Sequence, residues 1–320
     1  MQGIEAFVIG RVGVDFTPSE ARTSLARAET FRRAVGGFAG NVATGLSRLG
    51  IGTAVVGAVG DDGHGEYCRT FLAGEGVDVT SLIRRRGLRT QAAFFEAWPP
   101  EHFPVTFYRL PPAPEALLTP AELPAERIAA APLVIVSGAL LSREPARSTT
   151  IAILERRSAA RRRVGWTVLD LDWRPTMWDE PADFASLVAR SAPLSDALIG
   201  SDAEFAAAGL GPEDAVDLGA GVVVLKHGSG GASVLSVSGR QALPAISVEV
   251  VCGLGAGDAL TAAFGAGVLR GLDPSSAAQR GNAAGAIVAS RLMCSTAMPT
   301  PGEIDDLLAR VRVGRAKARA

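Results

Sequence analysis

The sequence predicts an α/β fold with a mostly parallel sheet covered by helices on both faces. Short continuous runs of apolar and β-branched residues alternate with Ala-, Leu- and Arg-rich stretches of helix length. The runs lack in–out alternation, as strands buried on both faces do. In addition, residues 12–35 and 90–109 show no helix-length periodicity. They predict a small β layer that projects from the core.

Taken in order, strands are expected at 6–9, 53–59, 133–137, 164–171, 197–200, 222–226 and 232–237. Helices are expected at 40–49, 65–75, 148–160, 183–191, 202–209, 258–270, 274–293 and 301–311. Gln91-Ala92-Ala93-Phe94-Phe95-Glu96 and Val105-Thr106-Phe107-Tyr108-Arg109 predict a hairpin around Pro99-Pro100. It reads as a lid or as a decorative edge.

The 320 residues bury a sizeable core without a disulfide or metal staple. Lys plus Arg is 32 and Asp plus Glu is 33, a net charge of −1 that excludes a general, basic nucleic-acid binder. Cys68, Cys252 and Cys294 are odd in number and widely spaced, so no disulfide framework is expected and a reducing, cytoplasmic compartment is. The first residues carry no basic n-region. The most apolar stretch, 129–141, is too short for a bilayer and contains Pro132 and Gly138.

The densest chemistry lies in Cys252-Gly253-Leu254-Gly255-Ala256-Gly257-Asp258. A Gly-rich turn runs into a helix of small residues. Helix N-termini offer free N–H groups and a partial positive charge to anions. From the turn alone, Asp258 reads two ways. It caps the helix, or it stands beside a bound phosphate and takes a proton from an attacking hydroxyl. A Walker P-loop is excluded: Lys226 and Lys317 are the only lysines, and neither follows Gly or precedes Ser or Thr. The Rossmann fingerprint belongs to a first βαβ unit, and the early Gly10-Arg11-Val12-Gly13 does not open a helix. A second segment, Gly36-Gly37-Phe38-Ala39-Gly40-Asn41, is a diglycine loop entering an Ala-rich helix. Asn41 either caps that helix or offers its amide to a sugar hydroxyl.

These two segments make the chain resemble the ribokinase-like (PfkB) carbohydrate kinases, nearly end to end. That family's first signature is a Gly-Gly loop followed by Asn, and its second ends in Gly-Ala-Gly-Asp. Asp15 follows the first strand, where the family has a sugar-binding Asp. Gly60-Asp61-Asp62-Gly63 and Lys226-His227-Gly228-Ser229-Gly230-Gly231 also match. The resemblance implies one domain with a three-layer α/β/α core, about 1–11, 36–89 and 110–320, and a discontinuous β lid, about 12–35 and 90–109. It implies transfer of the ATP γ-phosphoryl to a primary sugar hydroxyl. Asp258 would be the base, and the backbone of Gly255, Ala256 and Gly257 would hold the transferring group. Asp15, Gly36, Gly37, Asn41 and Tyr108 would bind sugar. Ser201, Lys226, Gly228, Gly255, Gly257 and Asn282 would bind ATP, and Glu204 would hold Mg²⁺ through water. Strand-end packing also explains Lys226.

Finer features narrow the branch. Thr106-Phe107-Tyr108-Arg109, Asp170-Leu171-Asp172-Trp173-Arg174-Pro175 and Cys294-Ser295-Thr296-Ala297-Met298-Pro299-Thr300 look most like the 5-dehydro-2-deoxygluconokinases of myo-inositol catabolism. They also resemble 2-keto-3-deoxygluconate kinases. Both substrates are sugar acids, which makes Arg109 and Arg174 candidate carboxylate binders. Each also reads as a surface residue of an Arg-rich chain. Cys252-Gly253 replaces the Asp-Thr pair that helps hold a monovalent cation in many relatives, so potassium activation is in question. Ser201-Asp202-Ala203-Glu204 replaces the family's Asn-x-x-Glu, and Leu110-Pro111-Pro112-Ala113-Pro114-Glu115 replaces an Asn-Ala-Ala-Asp-like run.

Other features have plain readings. His64, His102 and His227 have no mutual metal spacing. Arg84-Arg85-Arg86 and Arg161-Arg162-Arg163 read as solvated faces, and Trp173 and Trp178 as packing residues. Small residues around Asn282 either make room for adenine or pack helices. An exposed lid edge would favour a homodimer. Rival functions are a kinase for a neutral ketose or nucleoside, a non-catalytic sugar or nucleotide sensor, and a nicotinamide oxidoreductase.

Overall fold

The computed structural model describes residues 3–20, 22–160, 165–178 and 180–319, with side chains described as far as Arg312. The Arg161-Arg162-Arg163 run and the strand start expected at Val164 fall outside these residues.

The chain runs β1 (Ala6–Ile9), β2 (Gly13–Pro18), β3 (Phe31–Gly36), α1 (Phe38–Arg48), β4 (Thr53–Gly60), α2 (Gly63–Gly74), β5 (Leu82–Arg85), β6 (Ala92–Phe95) and β7 (Val105–Tyr108). It continues with α3 (Ala125–Ala130), β8 (Leu133–Ser137), α4 (Ala146–Ala160), β9 (Trp166–Asp170), α5 (Asp183–Ser191), β10 (Ala197–Ser201), α6 (Asp202–Ala207), α7 (Pro212–Asp217) and β11 (Val222–Lys226). It ends with β12 (Gly231–Ser236), β13 (Gly239–Pro244), α8 (Ala256–Leu269), α9 (Pro274–Ala289) and α10 (Pro301–Arg319).

Nine strands form one sheet in the order β13-β12-β11-β10-β9-β8-β1-β4-β5. It is parallel from β11 to β5, and β12 and β13 add on antiparallel. The period-2 alternation of each strand divides the core. Ala6, Val8, Val55, Leu133, Ile135 and Ile199 face a layer that includes α1, α2, α8 and α9. Phe7, Ile9, Val56, Val134, Val136 and Leu198 face a layer built from α3 to α7. Both faces are therefore dry, as the unbroken apolar runs require. No helix among the described residues is long and apolar enough to cross a membrane.

The two strands that the sequence did not reveal, β5 and β13, are the edges of this sheet. Edge strands carry polar residues and Pro because one side stays unpaired. Arg84 and Arg85 end β5, and Arg240, Gln241 and Pro244 lie in β13. Arg85 corrects one expectation. It is not a solvated residue but donates to both Glu122 oxygens, at 2.6 and 2.9 Å, and to the Leu117 carbonyl.

The second sheet has four strands in the order β3-β2-β6-β7. Register sets Val14, Ala92 and Tyr108 on one face, with Asp15, Ala93 and Phe107 on the other. The first face carries an aromatic cluster in which Phe94 stacks on Phe16, at 4.8 Å, and meets Phe31 and Tyr108 edge-on. On the second face, Ala34 and Phe95 pack against Cys252 and Met293.

Arg157 of α4 fastens the α3–β8–β9 corner. It is 3% exposed and donates to Thr167 Oγ1 at 3.0 Å, to the Ile128, Ala129 and Ala131 carbonyls at 3.3, 3.1 and 2.6 Å, and to the Trp166 carbonyl at 2.9 Å. At the end of α3 only the Ile128 carbonyl also accepts a backbone N–H, from Ala131 at 3.3 Å, and the last carbonyls of a helix otherwise lack intrahelical donors. Arg157→Met fills the space but strips these acceptors. A loss of about 3 kcal/mol is expected, read as a lower urea midpoint.

Candidate active site

The carboxyl ends of the parallel strands converge at one point, where open α/β sheets bind their ligands. Arg11 follows β1, Ser137 ends β8, Asp170 ends β9, Ser201 ends β10 and Lys226 ends β11. The turn before α8 reaches the same place. Gly255 caps that helix in the left-handed conformation, φ 81°, which glycine adopts without penalty. N–H groups of the first turn have no acceptor inside the helix. Asp258 lies in that turn, and its Oδ2 accepts a 2.7 Å hydrogen bond from Asn41 Nδ2. Asn41 caps nothing: Gly37 is the N-cap of α1, at φ 77°.

Asp258 keeps a partly exposed face, but protein surrounds most of its carboxylate. Burial pushes its pKa up to about 7. Asp172 and Asp170 add repulsion, while the Asn41 hydrogen bond and Arg174 pull the other way. Asp15 is pushed up to about 6, chiefly by burial, against a hydrogen bond from Cys294 and the Arg11 charge.

Two ion networks lie between these groups. In the first, Asp172 accepts from Arg11 Nη2 at 3.0 and 2.7 Å and from Ser137 Oγ at 2.7 Å, and pairs with Arg174 at 3.2 Å. Burial opposes the Asp172 charge, but these partners outweigh it and hold the group below the usual carboxylate range. In the second, Lys226 Nζ contacts both Asp170 oxygens at 3.2 Å and Glu204 at 3.6 Å, and Thr261 Oγ1 donates to Asp170 at 2.6 Å. Burial raises Asp170. It opposes the Lys226 charge too, yet Asp170, Glu204 and Asp258 more than compensate and raise that group.

Gly36 stands against Asp15 so closely that a Cβ there would lie 2.1 Å from its carboxylate. Asn41 is 4% exposed, and its Oδ1 is buried without a hydrogen-bond partner among the described residues. Asp15, Gly36, Gly37 and Asn41 thus gather on one side of Asp258. Tyr108 stands outside this group. It is 63% exposed and lies on the face of the small sheet opposite Asp15. Arg109 is ion-paired with Glu115, which is 0% exposed. It borders a separate cavity of about 440 Å³ with Phe107, Arg143 and Met177.

Next to the α8 turn lies a cavity of about 520 Å³, a usual size for a small-molecule site. Lys226, Gly228, Ala256, Gly257 and Asn282 line it, as do Pro100 and Glu101 from the loop between β6 and β7. Asn282 donates to the Pro244 carbonyl at 3.0 Å. Gly285 of α9 also lines the cavity, and a Cβ there would come 3.0 Å from the Ala256 carbonyl, so packing and open space both favour a small residue. Ser201 is turned inward. It caps α6 in a reciprocal box: Ser201 N–H donates to Glu204 Oε2 at 2.7 Å, and Glu204 N–H to Ser201 Oγ at 3.3 Å. Trp173 N–H holds Glu204 Oε1 at 3.0 Å. Each Glu204 oxygen keeps a lone pair for a water molecule. Among the described residues, no group of three or more His, Cys, Asp or Glu side chains could hold a metal ion. A Mg²⁺ ion bound mainly by phosphate oxygens and water, with one carboxylate nearby, fits this donor set. Cys252 is buried, and its thiol is pushed up to about 11, so it stays neutral near pH 7.

Arg11, Ser137, Thr261 and the charge roles of Asp170 and Asp172 were not singled out in the sequence. For all but Thr261, which lies inside α8, the signal was position: a polar residue ending or following an apolar strand, on the end where ligands bind. Trp173 stacks on Phe184 and Trp178 meets that ring edge-on, Trp178 within the core and Trp173 at its margin.

The pfkB family carbohydrate kinase model matches residues 4–301. The 5-dehydro-2-deoxygluconokinase of Bacillus licheniformis is 33% identical over 311 residues, covering 94% of both chains. That of Bacillus subtilis is 33% identical over 320 residues, covering 96% of both. Among solved structures, aminoimidazole riboside kinase from Salmonella enterica, complexed with aminoimidazole riboside and an ATP analog, superposes with TM-score 0.79. It is 26% identical, covering 95% of this chain and 99% of that one. Fructokinase with bound ATP from Xylella fastidiosa gives TM-score 0.84 at 22% identity, covering 96% and 99%, which speaks to the fold.

The raised Asp258 pKa links stability to pH. The folded value, about 7, lies above the unfolded one, so the fold favours the protonated form. That contribution is complete below about pH 4 and is lost as pH rises through about 7. Asp258→Asn cannot lose it. The variant's Tm relative to wild type is therefore expected to climb between about pH 5 and pH 8. A difference that stays flat would mean an ordinary carboxylate.

Proposed function

We propose, from the premise that this chain belongs to the pfkB family of carbohydrate kinases, that it transfers the γ-phosphoryl of ATP to the primary hydroxyl of a sugar acid, 5-dehydro-2-deoxygluconate. The observation that carries the reading is Asp258 itself. It sits in the first turn of α8, accepts a hydrogen bond from Asn41, and its helix neighbours Ala256 and Gly257 line the 520 Å³ cavity. The names of the relatives support the substrate.

In this reading Asp15 and Asn41 hold the sugar hydroxyls, and the unpartnered Asn41 Oδ1 accepts one of them. Gly36 leaves Asp15 its space. Asp258 orients the attacking hydroxyl and takes its proton as the O–P bond forms and the bond to the ADP oxygen breaks. Phosphoryl transfer is loose, so the base needs position more than strength. First-turn N–H groups of α8, with Gly255, Ala256 and Gly257, receive the negative charge of the transferring group. Lys226 and Gly228 border the nucleotide's phosphates, and Asn282 its base. Glu204 would hold Mg²⁺ through water, and the bound ion would neutralise charge on the phosphate oxygens. Arg174, beside Asp172 and Asp258, adds positive charge near the acceptor. Pro100 and Glu101 bring the small sheet over the cavity, where it excludes water from the reaction.

A coupled ATP-consumption assay over sugar acids, ketoses and nucleosides tests the substrate. The highest kcat/KM is expected for 5-dehydro-2-deoxygluconate. A neutral ketose or nucleoside in first place would reject the acid, and no turnover at all would favour a sensor.

Asp258→Asn is expected to lower kcat at least about a hundredfold. The ionised carboxylate is the base, so wild-type kcat/KM should fall about tenfold per pH unit below about 7. Near-normal turnover by the variant would remove Asp258 from the mechanism.

A further inference from the structure

Asp170 is a buried carboxylate to which the mechanism above gives no task. It ends β9 and is 2% exposed. Lys226 Nζ lies 3.2 Å from both of its oxygens. Two further donors fix the carboxylate, one on each oxygen: the Asp172 N–H on Oδ1 at 3.1 Å and Thr261 Oγ1 on Oδ2 at 2.6 Å. Thr261 is 0% exposed and sits inside α8, three residues beyond Asp258. Its buried neighbours in that helix, from Ala259 to Val268, are otherwise Ala, Gly, Leu, Phe and Val.

A hydroxyl in so apolar a helix segment needs a physical reason. A helical Thr can turn its hydroxyl back to the carbonyl one turn earlier, as Thr44 of α1 does to Gly40 at 2.8 Å. Thr261 instead reaches across to the end of β9. Beyond Asp170 the contact leads to Lys226, which lines the 520 Å³ cavity together with Ala256 and Gly257. Lys226 Nζ would lie 3.5 Å from a Cβ on Gly257, so the ammonium stands beside the α8 turn. A lysine stem is long and flexible, and holding it in one place costs rotamer freedom. Asp170 at 3.2 Å and Glu204 at 3.6 Å hold it. Glu204 is fixed by its own capping box, and Asp170 by Thr261 and the Asp172 N–H.

We propose that Thr261 is a positioning residue for the nucleotide: it acts through Asp170 to hold Lys226 beside the phosphate-binding turn of α8. One helix then serves the phosphates twice. Its first turn presents N–H groups to them, and about one turn further along its Thr261 keeps a cation next to that turn. Val has the shape of Thr without the donor, so packing in an apolar helix would not by itself select the hydroxyl. With the donor gone, Lys226 is the partner left to Asp170 Oδ2, and the ammonium is drawn toward it and off the turn. The proposal rests on reading the cavity as the ATP site.

The test measures ATP binding by calorimetry, and KM for ATP and for the sugar, in Thr261→Val, Thr261→Ser and Lys226→Met. In Thr261→Val the ATP dissociation constant and KM are expected to rise about tenfold, the scale of a hydrogen bond to a charged group, with the sugar KM held within about twofold. Thr261→Ser keeps the donor and is expected to restore ATP binding. Because the effect runs through Lys226, Thr261→Val should add little in the Lys226→Met background. Unchanged ATP affinity in Thr261→Val, equal rises in both KM values, or the full loss repeated in the Lys226→Met background would each overturn the role of Thr261 and leave the ATP site in place. A wild type that binds no ATP would overturn the reading of the cavity itself. Should Thr261→Val fail to fold, Asp170→Asn takes its place in the same comparison, and unchanged ATP affinity there sinks the proposal.

Discussion

Asp172 lies between two guanidinium groups, and the arrangement of the site depends on that shared charge. Arg11 comes from the end of β1, Ser137 from β8, and Asp172 and Arg174 from the loop after β9. One carboxylate thus ties together the carboxyl ends of three neighbouring strands. A buried ion is tolerable only when paired and hydrogen-bonded, and Asp172 is held from three directions. It also adopts φ 39°, a backbone conformation that is unfavourable for a residue with a Cβ. The side-chain contacts fix the peptide there, and the kinked loop delivers Arg174 toward Asp258.

Around this point Asp15, Asp170, Asp172, Glu204 and Asp258 face Arg11, Arg174 and Lys226, five carboxylates to three cations. The cations lie against Asp170, Asp172 and Glu204. Asp15 and Asp258 have weaker cationic company, and burial raises both of them. The imbalance also explains how a phosphate is accommodated in a chain with two lysines. Lys226 is already paired with Asp170 and Glu204. A polyphosphate entering an acidic group must bring cations with it or meet backbone N–H groups. The first turn of α8 meets the second need, and the single carboxylate of Glu204 suits a hydrated Mg²⁺ that meets the first.

What the sequence revealed follows from which signals are local. Buried central strands such as β4 and β8 announced themselves through unbroken apolar runs, and the α8 turn through its glycines. The edge strands β5 and β13 did not, because their polar residues answer to solvent. Asn41 and Asp258 were legible because glycine-rich turns mark them, and Asp15 only through the family resemblance. Arg11 and Asp172 were not, for their meaning lies in a contact across 161 positions of the chain. No spacing rule reaches that far. Ser201 shows the opposite case. Its place in the family's Asn-x-x-Glu pattern marked it, and its hydroxyl and Glu204 form a capping box that fixes the carboxylate.

Strand register is the remaining constraint, and it acts on β2. Successive side chains of this strand serve two environments: Val14 and Phe16 join the aromatic face, while Asp15 joins the site. A slip by one residue would exchange these faces and carry Asp15 away from Asn41 and Asp258. The aromatic cluster works against such a slip, because Phe16, Phe94, Phe31 and Tyr108 interlock only in the observed pairing. They act on the chemistry through one backbone hydrogen-bond ladder, by fixing which way a single carboxylate points.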